Sequence, residues 1–339
     1  MSQPTEPTQP PSPASPFAVA LQVFRESLPI LAVALLLVGL AEVSARAVLQ
    51  DDTRWLYWNR TMASKVRFIK RQSDQGRTPD MLVLGDSSAA FNIVPKVLDE
   101  GYERRTFNLG SAGNFARSFD VVMRQYVLDE LPDPDVYIVS FAGRGFLPES
   151  VGQSARILSS PIGQHLQGKR VWGDWLYLVR LHHILRLLRD PEPTPTLFRN
   201  RGFEPYLVAL KRRARRPGLA KRLPPPPRLL IRPRPPAPDV EEDPMQPLRN
   251  LFQRAADRGI RVVMLSPPFE PEEGETPMHV DTVAAVSAEW GVPHLDYTDI
   301  DIHSHNYHLD VRGARIYTAQ LREDLERLEA EGWTPPQPP

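Results

Sequence analysis

Two residues far apart in the chain have the chemistry to act together on an ester: a serine in Gly85-Asp86-Ser87-Ser88 and a histidine at position 308. The tetrapeptide follows directly on the apolar run Met81-Leu82-Val83-Leu84, which reads as a buried strand closed by a turn. A serine at a tight strand-to-helix junction has its hydroxyl lifted above the sheet edge. Backbone N–H groups at the start of the next helix then point at any anion formed there. That arrangement suits a nucleophile whose tetrahedral intermediate is held by backbone donors. The same residues also read as a simple helix cap ahead of a helix starting near Ala89.

A second glycine-rich stretch, Asn108-Leu109-Gly110-Ser111-Ala112-Gly113-Asn114, lies just past another strand candidate, Arg105–Asn108. Glycines there let backbone approach a ligand and present N–H groups to it. Near the C-terminus, His303, His305 and His308 precede the last helix, with Asp299 and Asp301 in the same loop. Nucleophile and base need not be close in sequence when both sit on loops of one sheet edge. Read instead as metal ligands, the three histidines lack a fixed four-ligand set and any His-Glu-x-x-His helix. We therefore assign no metal and no cofactor. His182 and His183, in a strongly apolar helix, fit a packing boundary better than a site.

The elements that must position these residues alternate in type. Strands are expected at Met81–Leu84, Arg105–Asn108, Val136–Phe141, Arg261–Leu265 and Pro293–Asp296, and helices at Phe119–Leu128, Pro247–Arg258, Val280–Trp290 and Val311–Leu328. Short apolar strands alternating with helices indicate a mainly parallel sheet covered on both faces, with ligands at the carboxyl ends of its strands. Residues 146–239 interrupt this grammar as an insertion. Its first half carries the apolar helix Trp172–Leu188. Its second half holds ten Lys or Arg between Val208 and Pro235 among prolines that forbid regular structure, so an extended cationic loop is expected.

The N-terminal residues 1–26 have the composition of a disordered tail, and 334–339 form a second one. Between the first tail and the folded part, residues 27–49 are apolar enough for a transmembrane signal-anchor if Glu42 and Arg46 sit at the interface. Cleavage at Ala45-Arg46-Ala47 and a soluble core helix are the rival readings. Basic residues are denser after the segment (Arg46, Arg54, Arg60, Lys65, Arg67, Lys70, Arg71) than before it, which by the positive-inside rule keeps the following domain in the cytoplasm. The folded domain is placed at residues 73–333. With 41 basic and 41 acidic residues the chain does not read as a nucleic-acid binder, and with no cysteine it has no disulfide framework, zinc thiolate site or thiol nucleophile.

Val83-Leu84-Gly85-Asp86-Ser87-Ser88, Asn108–Gly113 and His308-Leu309-Asp310-Val311-Arg312-Gly313 together resemble the sequence blocks of the SGNH/GDSL hydrolase superfamily. The likeness is to its membrane-anchored bacterial members linked to O-acetylation of cell-envelope polysaccharide. It covers residues 78–148 and 245–328 and leaves the anchor and the insertion outside. The resemblance implies a flavodoxin-like three-layer α/β sandwich with Ser87 as nucleophile, His308 as base and Gly113 as an oxyanion donor beside Asn114. Two positions depart from the pattern. Arg144 stands where the family's third block supplies an asparagine, and His305 stands where the orienting acid belongs, leaving Asp301 or Asp299 to replace it. The implied substrate is an acylated glycan or a small ester, with membrane lipid around the N-terminal helix, an envelope acyltransferase as partner and no specific nucleic acid. The implied location is the bacterial inner membrane, single-pass, with the domain periplasmic or extracellular, in conflict with the charge rule. Two other classes stay open: a catalytically impaired SGNH-like domain that binds glycan or an envelope protein, and a membrane-surface module using the basic insertion.

Overall fold

A computed structural model describes residues 16–48, 60–102, 104–112, 116, 119–121, 127–129, 131–142, 146, 199–204, 243–269, 280–302, 304–305 and 307–339. Five strands, β1 (Met81–Gly85), β2 (Thr106–Asn108), β3 (Val136–Ser140), β4 (Arg261–Ser266) and β5 (His294–Asp296), form one sheet in the order β2-β1-β3-β4-β5, all parallel. A two-residue antiparallel pair, β6 (Ser304–His305) with β7 (His308–Leu309), stands apart from it. The helices are α1 (Pro16–Val48), α2 (Arg60–Ser73), α3 (Ser87–Asn92), α4 (Pro95–Leu98), α5 (Gln246–Arg258), α6 (Val280–Glu289) and α7 (Val311–Ala330).

Successive strand side chains point to opposite faces, and here they divide cleanly into two cores. Leu82, Leu84, Phe107, Tyr137, Val139, Val262 and Met264 pack with α2, α5 and α6. Met81, Val83, Val136, Ile138, Val263 and Leu265 pack with α3, α4 and α7. Both faces are dry, which is why these strands are continuous apolar runs rather than alternating ones. The result is the expected three-layer arrangement around a parallel sheet. In this strand order β2 and β3 lie on opposite sides of β1, which makes the carboxyl ends of β1 and β3 the place where a parallel sheet is expected to hold a ligand.

Three boundaries differ from those expected. The domain does not begin at residue 73: Met62, Val66 and Ile69 of α2 are buried in the first core. In sequence, Arg60, Lys65, Arg67, Lys70 and Arg71 read only as charge flanking the apolar segment. The stretch 146–239 is not wholly separate, because Arg199–Glu204 lies along the outer edge of β2. There Asn108 N donates to Arg201 O at 2.9 Å, Glu204 N donates to Ala90 O at 3.2 Å, and Phe203 is buried. The C-terminal tail has no regular structure but is docked, with Pro336 buried and Gln337 N donating to Trp290 O at 3.0 Å.

Helix α1 starts at Pro16, earlier than residue 27, so it takes in part of the expected tail. Its stretch Gln22–Ser44 is 23 residues long with mean hydropathy 2.1, and none of it is buried against protein. At 1.5 Å per residue that is about 35 Å, enough for a hydrocarbon core of about 30 Å. The apolar helix Trp172–Leu188, His182, His183 and the cationic proline-rich loop lie outside the described residues.

Candidate active site

Strand β1 ends at Gly85 with φ +135°, where a Cβ would sit 1.8 Å from the carbonyl oxygen of Ser140 on β3. Glycine is required on both counts, and it lets the chain turn sharply out of the sheet at its carboxyl edge. Asp86 caps α3: its Oδ1 accepts from Ser88 N at 2.8 Å and from Ser88 Oγ at 2.8 Å. Its Oδ2 accepts from Ala142 N at 3.1 Å, and Asp86 N donates to Ser140 O at 3.3 Å, so one buried residue staples the end of β1 to the end of β3. Because Ser88 Oγ has its proton on Asp86, it is left as acceptor for the Ser140 hydroxyl, 3.0 Å away. Burial raises the Asp86 pKa to about 6, and the hydrogen bonds from Ser88 and Ala142 hold it from going higher. This network leaves Ser87 as the half-buried first residue of α3.

The loop after β2 closes on the same point. Asn108 is fully buried: its Nδ2 donates to Ala89 O at 2.7 Å and to Ile93 O at 2.9 Å, and its Oδ1 accepts from Gly110 N at 2.8 Å. Gly110 lies so close to α3 that a Cβ would be 2.5 Å from Ala90 N. Ser111 N then donates to Gly85 O at 3.1 Å. Asn108 thus ties the course of the second loop to the helix that carries Ser87.

His308 comes from the other end of the chain, and its Nε2 lies 2.8 Å from Ser87 Oγ. Two neighbours on α3 set this geometry. Asn92 Nδ2 donates to Tyr307 O at 2.7 Å, and Leu309 N donates to Asn92 Oδ1 at 3.0 Å, so one buried amide grips the backbone on both sides of His308. Phe91 meets the imidazole edge to face, with centroids 5.2 Å apart. The end of α3 is in turn held by α7, where Thr318 Oγ1, its proton on Ala314 O at 2.6 Å, accepts from Val94 N at 3.0 Å. For the serine hydroxyl to donate to Nε2, the proton of the neutral ring must lie on Nδ1.

Ser87 and His308 are therefore within hydrogen-bond reach, at the carboxyl edge where the strand order predicts a ligand crevice. Asp301 is not joined to them. Ile300 and Ile302 on either side pack against the core, which turns Asp301 outward, and it is exposed with no hydrogen bond or ion pair among the described residues. Gly113, Asn114, Arg144 and His303 lie outside the described residues, as do the side chain of His305 and residues 270–279. Among the described residues no group of three His, Cys, Asp or Glu is placed to hold a metal ion. Asn92 and Phe91 were not singled out in the sequence. A clue was available, since an asparagine inside the apolar run Phe91-Asn92-Ile93 must find partners if it is buried.

No family model matches the chain, and no curated protein matches it. Solved structures with a similar course include a protein assigned to the lipolytic G-D-S-L family from Desulfitobacterium hafniense. It has a TM-score of 0.36 and 11% identity, over 72% of this chain and 98% of that one. A carbohydrate acetylesterase family member from Sinorhizobium meliloti gives a TM-score of 0.36 and 11% identity, over 74% of this chain and 99% of that one. At such scores these likenesses add nothing to the functional reading.

Proposed function

We propose that this chain is a serine-dependent carbohydrate O-acetyl esterase or O-acetyltransferase of the SGNH type, held at a bacterial inner membrane by α1 and acting on a glycan of the cell envelope. The single observation that carries the chemistry is the 2.8 Å approach of His308 Nε2 to Ser87 Oγ. In the proposed reaction the Ser87 hydroxyl attacks the ester carbonyl while its proton passes to His308 Nε2. In this reading the amides of Ser87 and Gly113 receive the oxyanion, and Asn114 and Arg144 are the further candidates that the sequence offers for it. Collapse breaks the C–O bond, and His308 returns the proton to the departing sugar oxygen. Water or a second sugar hydroxyl, deprotonated by His308, then takes the acyl group and frees Ser87. The glycan, the acetyl group and the placing of the domain outside the cytoplasm come from the sequence resemblance, which the apolar helix α1 accompanies.

One observation favours a second reading. With Asp301 turned to solvent, the expected orienting acid does not reach His308. A histidine that lacked any orienting acid would turn over an ester about 10⁴-fold more slowly. A domain that binds an acylated glycan and turns it over slowly is the form this takes. Hydrolysis of p-nitrophenyl acetate by the purified full chain separates the two. The enzyme reading expects Ser87→Ala and His308→Ala each to fall by at least about 1,000-fold. Equal rates in all three proteins would remove it.

A further inference from the structure

Lys65 is a lysine with no exposed surface, on the helix that follows the membrane span. An ammonium is not left in a dry core without a partner, because its desolvation is severe. Here the partner is a backbone oxygen: Lys65 Nζ donates to Gly110 O at 2.7 Å. Gly110 is thereby gripped from both sides of the sheet. Its N–H is bound by Asn108 Oδ1, its Cα backs onto α3, and its carbonyl is held by α2. The next amide, Ser111 N, is bound to Gly85 O, one residue before the cap of the Ser87 helix. Burial lowers the lysine's pKa to about 8, with Glu204 pulling it back up.

We propose that Lys65 is a positioning residue for the reaction at Ser87: reaching from α2 to the carboxyl edge of the sheet, it fixes the loop that leads to the oxyanion donor. The proposal rests on the esterase reading above. It makes the helix next to the membrane anchor part of the catalytic scaffold rather than a spacer. An apolar side chain of similar length would fill the space but leave Gly110 O buried and unpaired, freeing the loop to shift. A displacement of about 1 Å in such a site costs on the order of 100-fold in rate.

The chain has no cysteine, so Lys65→Cys can be alkylated selectively with 2-bromoethylamine in denaturant and refolded to restore an ammonium at lysine length. Full-length wild type, Lys65→Met, and Lys65→Cys before and after alkylation are compared in detergent by amide hydrogen exchange and by steady-state hydrolysis of p-nitrophenyl acetate. Lys65→Met should raise exchange in residues 108–112 by roughly tenfold while residues 136–140 keep their protection. Its kcat should fall roughly 10- to 100-fold with KM within about twofold. Alkylation should restore both. Unchanged loop exchange and kcat, or protection lost equally in both segments, would overturn the proposal. If Ser87→Ala keeps wild-type activity the esterase reading fails instead, and loop exchange alone then decides whether Lys65 holds Gly110.

Discussion

The arm that carries Ser87 and the arm that carries His308 meet at 2.8 Å, yet they are built by different physics. Ser87 is one turn beyond a strand buried in the centre of a parallel sheet. Its place follows from Gly85, the Asp86 cap and the bonds from Ser140 and Ala142. The histidine sits on a two-residue strand outside the main sheet, and its backbone is held by a side chain of the other arm, Asn92. Ser87 is positioned by local structure, His308 by borrowed hydrogen bonds. Damage to the first arm should therefore break the fold, whereas damage to the second should break the pair.

The sharpest contrast comes from Gly85→Ala. A methyl group 1.8 Å from Ser140 O cannot be accommodated without moving β1 away from β3, and φ +135° adds strain. We expect a loss of more than about 4 kcal/mol, read as failure to give a cooperative melt by circular dichroism. Normal melting of this variant would mean that the strand end is less tightly fixed than the close approach of Gly85 to Ser140 O implies.

Asn92→Ala should act on the other arm. It leaves Tyr307 O and Leu309 N without their partner in a buried place, at about 2–4 kcal/mol, and frees the segment on either side of His308. Activity should fall by roughly 100-fold or more, while hydrogen exchange in β1 and β3 stays close to wild type. A variant that loses stability but keeps kcat would show that His308 is held by something other than this amide.

The smallest effect concerns Lys65. Its folded pKa of about 8 lies below the ordinary 10.5, so between these values the unfolded chain binds more protons than the folded one, and stability must rise with pH. The cost of burying the ammonium is fully present below pH 8 and is relieved as pH approaches 10.5, by on the order of 3 kcal/mol at most. Denaturant titrations at pH 7.5 and 10 should show this gain in wild type beyond whatever Lys65→Met shows. Identical pH profiles in the two proteins would show that Lys65 is not a buried ammonium.

All five strands of the sheet and the helices α5, α6 and α7 were legible in the sequence, because a dry parallel sheet demands short apolar runs and its covering helices demand amphipathic ones. Ser87 and His308 were legible for a different reason: glycine and a capping acid mark the strand end before the serine, and Asp310 and Gly313 mark the start of α7 just after the histidine. Helix α2 was not, since its basic residues look like membrane-flanking charge until Met62, Val66 and Ile69 are seen to be buried. The direction Asp301 faces was not legible, because proximity in sequence says nothing of direction, and Ile300 and Ile302 claim the inward side.

What the sequence determined by itself was periodicity and punctuation: which runs are strands, where each stops, and which side chains lie at the stops. Only the tertiary structure decided the contacts between residues more than two hundred positions apart, such as Asn92 with Tyr307 and Leu309 and Ser87 with His308. Those depend on strand order and on which face each connection crosses, and neither leaves a local trace. A hydrogen bond across the fold is a property of two distant backbones brought together, so no window of sequence contains it.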